Sequence, residues 1–254
     1  MNKFLLYLLA AFIIFSCETK ENSTEVEIIE ISETVENPAA MAVKKEDEGW
    51  IKRHETILGR LNQEAELILV GNSIFHSLDN EDRNAVWERY LNPYKTINMG
   101  ISADRTENVI WRLENGSLEN INPKVALLLI GTNNTDGNHF LTVSTAEELA
   151  GGIKKICAIL NEKLPDTEIL IMGILPYGYK PNHRDNINKA TNNIVSKFPE
   201  ELPFVHYIDI SDVYYDANGK VIKELMPDFL HPNAEGHMLM FEALDDKIKE
   251  LMVK

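Results

Sequence analysis

Cysteine is scarce in this chain of 254 residues: there are two, Cys17 and Cys157. One lies just behind an N-terminal apolar run and the other inside a helical pattern, so no disulfide framework is implied. Cys157 falls among Ile153, Ile156 and Leu160, which reads as a core thiol. Basic charge is also in short supply. Lys and Arg total 25 against 40 Asp and Glu, a formal charge of −15. That balance argues against nucleic acid as a partner and against adsorption to an anionic bilayer through the protein surface. His183, His206 and His237 show no metal-ligand pairing, so neither a metal nor another cofactor is implied. No amphipathic segment between the expected strands is apolar enough to act as a lid over a lipid surface.

Long apolar runs are missing too. The longest, Phe4 to Phe15 behind Lys3, is too short to span a bilayer and suits the core of a signal peptide. It ends at Ser16-Cys17, which resembles a bacterial lipobox. That resemblance implies export, with Cys17 as the lipidated first residue of the mature protein and the membrane as a partner through this anchor. The expected site is the bacterial cell envelope. The alternative is an ordinary secretory signal. Residues 17–48 are rich in Glu, Thr, Ser and Asn without a sustained period. They read as a flexible acidic tether with an end-to-end reach of about 30 Å. The expected organisation is therefore signal peptide 1–16, tether 17–48 and one folded domain 49–254.

Within the domain, helical and extended patterns alternate. Trp50 to Leu61 predicts a helix carrying His54, a packing residue. Leu67 to Val70, Thr96 to Met99, Val125 to Ile130, Ile169 to Ile174 and Phe204 to Ile210 predict five strands, apolar on both faces as a parallel sheet requires. Between and after them, helices are expected over Ile74–Leu78, Arg105–Leu113, a segment ending near Leu164 that opens on a Ser144-x-x-Glu147 capping box, His183–Phe198 and Ala234–Met252. The alternation predicts an α/β fold with parallel pairing and right-handed crossovers. In such sheets sites form at the C-terminal ends of strands, so Ser73, Gly100 and Asn133 are expected to face one crevice.

Ser73 stands between a buried strand and a helix, where a turn exposes its hydroxyl. Taken alone, Gly71-Asn72-Ser73 is ordinary turn chemistry. A nucleophilic serine needs a base and donors for an oxyanion. Asp228 and His231 are three residues apart, a spacing that lets the carboxylate reach Nδ1 and fix the imidazole. Asn133 offers a side-chain amide and Gly100 an unhindered backbone N–H.

A Ser, a Gly, an Asn and an Asp-x-x-His in this order resemble the four blocks of the GDSL/SGNH hydrolase superfamily. Within it the chain looks most like the catalytic subunits of platelet-activating factor acetylhydrolase and related bacterial acetylesterases. The stretch GISADRTENVIWRLENGSLENINPKVALLLIGTNN carries the likeness most densely, and TAEELAGGI and DFLHPNAEG extend it. The resemblance implies a three-layer α/β/α flavodoxin-like fold around a five-stranded parallel sheet. It also implies a serine esterase in which Ser73 is nucleophile, His231 base and Asp228 its orienter. The oxyanion hole would be the N–H groups of Ser73 and Gly100 and the side chain of Asn133. Short acyl esters, acetyl above all, of carbohydrates or similar polar substrates are the expected class. The alternatives are a phospholipid or lysophospholipid esterase and a non-catalytic binding module on the same fold. Two departures from the pattern stand out. Asn72 replaces the usual Asp, and Asp136 to Val143 reads as an insertion at the mouth of the site.

Overall fold

The computed structural model describes residues 36–253, apart from Ser117 and Glu119. The leader, Cys17 and most of the expected tether lie outside the described residues.

Five short apolar segments form the sheet: β1 (Leu67–Gly71), β2 (Ile97–Asn98), β3 (Val125–Leu129), β4 (Glu168–Met172) and β5 (Val205–Ile208). All neighbours pair parallel, in the order β2-β1-β3-β4-β5. The helices are α1 (Glu48–Arg60), α2 (Ser73–His76), α3 (Thr106–Glu114), α4 (Ala146–Lys163), α5 (His183–Val195) and α6 (Ala234–Met252). Short helical turns fill much of 77–94 and 198–201. No described helix is long and apolar enough to cross a membrane.

Strand side chains alternate between faces, and both faces are covered. Ile68, Val70, Ala126, Leu128, Ile169 and Ile171 pack in one core with Ile57 of α1, Val109 of α3 and Ile153 and Ile156 of α4. Leu67, Leu69, Leu127, Leu129, Leu170 and Met172 pack in the other with Phe75, Leu91, and Phe241 and Leu244 of α6. The result is the expected three-layer α/β/α arrangement. The strand order reverses direction at β1, so the crevice outside the carboxyl ends of β1 and β3 is the place where this topology leaves room for a ligand.

Three expectations need correction. The tether does not run to residue 48: the described stretch from Asn37 to Lys45 is docked on the domain. Asn37 Nδ2 donates to Glu148 O, Thr106 Oγ1 to Ala39 O, Val43 N to Glu107 O and Asn108 Nδ2 to Val43 O. Gly152 permits the contact, because a Cβ there would lie 2.3 Å from Ala39 O. The capping box of α4 is one residue later than expected. Thr145 is the N-cap, exchanging hydrogen bonds with Glu148 (3.2 and 2.8 Å). Ser144 is instead drawn into the core side of the loop, its N–H donating to Asn134 O. The helix expected over His183–Phe198 ends at Val195 and resumes as a separate turn at Phe198–Glu201.

Candidate active site

Ser73 opens α2 directly after β1. Asn72 is the N-cap, and its Oδ1 accepts from Ile74 N at 3.0 Å. This is the capping bond an aspartate would make, so replacing Asp by Asn keeps the turn. The serine is half-buried and its Oγ lies 2.9 Å from His231 Nε2. On the far side of the ring, Nδ1 lies 2.7 Å from Asp228 Oδ2.

The loop carrying Asp228 and His231 leads into α6. Asp228 Oδ1 accepts from the N–H groups of Leu230 and His231 (3.1 and 2.7 Å), so the carboxylate folds its own turn. Phe229 sits in that turn at φ 59°, a left-handed conformation that costs a bulky residue about 1 kcal/mol or more. Its carbonyl accepts from Gly178 N, its N–H donates to Met226 O, and Tyr179 packs edge-on against its ring. Partial burial alone would raise the Asp228 carboxyl. The hydrogen bonds from the His231 ring and backbone outweigh it and hold Asp228 below its ordinary value, ionised at neutral pH.

The two elements bearing Ser73 and His231 are tied together by a second, deeply buried histidine. His237 on α6 approaches Ile74 O through Nε2 (3.0 Å), and Arg83 Nε points at its Nδ1 (3.4 Å). Arg83 also donates to Pro232 O. Burial pushes His237 down to about 4, outweighing the Ile74 hydrogen bond, and the Arg83 charge lowers it further. The ring is neutral at pH 7, so Nε2–H donates to Ile74 and Nδ1 accepts from Arg83.

Asn133, in the turn after β3, lines the same cleft as Ser73 and His231. One N–H of its Nδ2 donates to Asp104 O at 2.8 Å, which leaves the second for a ligand. Gly100 is not brought to the cleft. Its N–H donates to Asn98 Oδ1 at 2.9 Å, so it is spoken for. A glycine is needed here because a Cβ would come within 2.5 Å of His76 N and 2.9 Å of Asn72 O. The cleft wall is reached three residues later by Ala103, exposed and at φ 62°. Among the described residues no acceptor takes its N–H. The next residue, Asp104, is fully buried behind the turn.

Further residues hold this turn. His76, on α2 after Ser73, lies 2.9 Å from Ser102 Oγ through Nδ1 and accepts from Ser102 N at 3.1 Å. Arg53 donates to Gly100 O and pairs with Asp79. Behind the turn Asp104 makes a wholly buried ion pair with Arg112 (2.9 Å), and Trp50 Nε1 donates to it at 2.6 Å. His54 is packed between Trp50 and Trp111, and burial holds it near 4.

The cleft has a volume of about 560 Å³. Besides Ser73, Ala103, Asn133, Asp228, Leu230 and His231, its wall includes Asp136, His139 and Phe140 from the inserted segment. Tyr177 and Arg184 join them; neither was singled out by sequence reasoning. The described residues contain no cluster of His, Cys, Asp and Glu suited to a metal.

A serine hydroxyl, an imidazole and a carboxylate thus stand in one hydrogen-bonded line at the switch point of a parallel sheet, an arrangement suited to acyl transfer. The sequence pattern of the GDSL-like lipase/acylhydrolase family matches residues 69–239, and the chain belongs to that family. It is accordingly a carboxylic ester hydrolase. Among curated relatives, the rat platelet-activating factor acetylhydrolase IB subunit alpha2 is 33% identical over 221 residues, covering 85% of this chain and 92% of its own. The fold is shared with an acylhydrolase from Bacteroides fragilis (TM-score 0.65, 17% identity, 82% of this chain and all of the other). It is also shared with an acetyl xylan esterase (TM-score 0.63, 19% identity, 73% of this chain and all of the other).

Proposed function

We propose that the protein is an esterase for short acyl groups, acetyl above all, on carbohydrates or similar polar alcohols, working through Ser73, His231 and Asp228. The observation that carries this reading is the unbroken line from Ser73 Oγ through His231 to Asp228, with spacings of 2.9 and 2.7 Å. His231 Nε2 takes the Ser73 proton as Oγ bonds to the ester carbonyl carbon. The alcohol departs with that proton, leaving an acyl-serine. Water then gives a proton to His231 and its oxygen to the acyl carbon, and the carboxylic acid is released as the Ser73 O–H reforms. Asp228 steadies the imidazolium in both halves. The developing oxyanion is met by the N–H of Ser73, the free N–H of Asn133 and the backbone N–H of Ala103. A binding module without turnover would have no use for this alignment.

A phospholipid ester is the second reading, favoured by the names of the acetylhydrolase relatives. The two separate on p-nitrophenyl esters. A pocket able to bury the acyl chain gains about 0.8 kcal/mol per methylene. For the polar-ester reading kcat/KM falls steeply from acetate to octanoate. A profile that rises with length, or that micelles enhance, supports the lipid reading instead. For the leader, the proposal is lipidation at Cys17 and tethering to the cell envelope. Cys17→Ser then moves the protein out of the membrane fraction, whereas an ordinary signal peptide leaves the unmodified protein soluble from the start.

A further inference from the structure

The segment Asp136-Gly137-Asn138-His139 repeats the spacing of Asp228-Phe229-Leu230-His231. The geometry repeats as well. His139 Nδ1 lies 2.7 Å from Asp136 Oδ2, and the other carboxylate oxygen accepts a backbone N–H, that of Asn138, at 2.9 Å. Both pairs line the one cleft. We infer that Asp136 and His139 form a hydroxyl-binding site for the alcohol side of the ester, and that the substrate is a polyol ester with a free hydroxyl near the acyl group. This inference rests on the reading of the Ser73 cleft as the esterase site.

The second pair is built in the opposite sense to the first. Asp228 is exposed, whereas the Asp136 side chain is only 6% exposed and the His139 ring 78% exposed. A tip histidine of such exposure has no packing to fix it. Here the ring is held by a carboxylate that is itself anchored. Arg184 NH1 lies 3.2 Å from Asp136 Oδ2, its NH2 donates to Thr132 Oγ1 at 3.1 Å, and its guanidinium stacks 3.8 Å from the centre of the Tyr177 ring. The inserted segment is tied down further along by Arg105, which donates to Thr142 O at 2.8 Å. An imidazole held this way presents one fixed tautomer. In the neutral ring Asp136 accepts the Nδ1–H hydrogen bond, so Nε2 carries the lone pair and accepts. Ser73 already has His231 as its base, so the group suited to His139 is a hydroxyl on the substrate.

Charge decides between the classes of alcohol. Arg184 is the only Lys or Arg on the cleft wall among the described residues, and Asp136 and Thr132 already engage it. A phosphate beside the ester would find no other cation on this cleft wall among the described residues, and the net charge of −15 opposes its approach. A neutral hydroxyl finds the His139 acceptor, and the half-buried Phe140 ring beside it offers an apolar face to the carbons of a polyol.

The test uses three pairs of probes: monoacetates of glycerol, methyl xyloside and methyl glucoside, each with its O-methylated counterpart lacking free hydroxyls. The readout is the ratio of kcat/KM within a pair. In the wild type the ratio for at least one pair exceeds about tenfold, the scale of one good hydrogen bond that discriminates. In His139→Ala that ratio falls toward one, and His139→Gln, which keeps an acceptor, restores part of it. A loss of rate that leaves the ratio unchanged, or a wild-type ratio of one for every pair, overturns the inference. Esterase activity that survives Ser73→Ala, or no hydrolysis of these probes or of p-nitrophenyl acetate, overturns the underlying reading instead.

Discussion

Removing Arg112 tests the foundation beneath the site. The Arg112 and Asp104 side chains are both fully buried, and Nε lies 2.9 Å from Oδ2. Burial is the main pressure on both, raising Asp104 and lowering Arg112, and their mutual contact opposes it. Arg112→Met strands a buried carboxylate, a change that costs about 3–5 kcal/mol. The lower end applies here, because Trp50 Nε1 at 2.6 Å and Lys45 Nζ at 3.6 Å still face Asp104. About 3 kcal/mol in a domain of this size lowers Tm by roughly 6–12 °C. Urea unfolding followed by circular dichroism measures it. The deficit relative to wild type shrinks as pH falls. The stranded Asp104 has a raised folded pKa, so the penalty is full above that value and vanishes below the unfolded value of about 4. Asp104→Asn with Arg112→Met leaves no buried charge and keeps an acceptor for Trp50, so the double variant is more stable than Arg112→Met alone. A deficit under about 1 kcal/mol, or a double variant no more stable than the single one, refutes the reasoning.

The other expectations concern the site itself. His231→Ala and Asp228→Asn each lower kcat by up to about four orders of magnitude. Asp228→Asn is the milder, because its side chain is 56% exposed and water can reach Nδ1. Asn133→Ala lowers kcat by about 10²–10³, and a change confined to KM would make Asn133 a ground-state binding group. His237, held near 4 against an unfolded value near 6.5, binds its proton more readily when unfolded. Its neutral form contributes stability above about pH 6.5 that is lost as pH falls toward 4, about 3 kcal/mol in all. His237→Gln flattens the urea midpoint against pH across that window, and an unchanged slope contradicts the assignment.

Much of this architecture was legible in residues. The apolar runs at Leu67–Val70, Val125–Ile130 and Ile169–Met172, with no polar face, specify a sheet covered on both sides, and the alternation of strands with helices specifies parallel pairing. Ser73, Asn133, Asp228 and His231 stood out because each combines a reactive side chain with a strand end or a helix start. Gly100 was misread because a glycine at a strand end looks like an accessible N–H. Its actual role, close packing against α2, depends on tertiary approach. Ala103 was missed because nothing in an alanine announces a left-handed backbone. Residues 37–45 looked like tether because their side chains are polar or small, yet they dock chiefly through backbone groups, which carry no sequence signature. His76 and Arg184 lie on helices and meet their partners across the fold, beyond the reach of local periodicity.

The central claim is that Ser73 Oγ is the nucleophile. Treatment with a fluorophosphonate followed by peptide mass spectrometry tests it directly. The account predicts one adduct, on Ser73, formed as esterase activity on p-nitrophenyl acetate disappears. It also predicts a folded Ser73→Ala protein, unchanged in circular dichroism, that neither labels nor hydrolyses the ester. An adduct on another residue, or near-wild-type hydrolysis by Ser73→Ala, would contradict it.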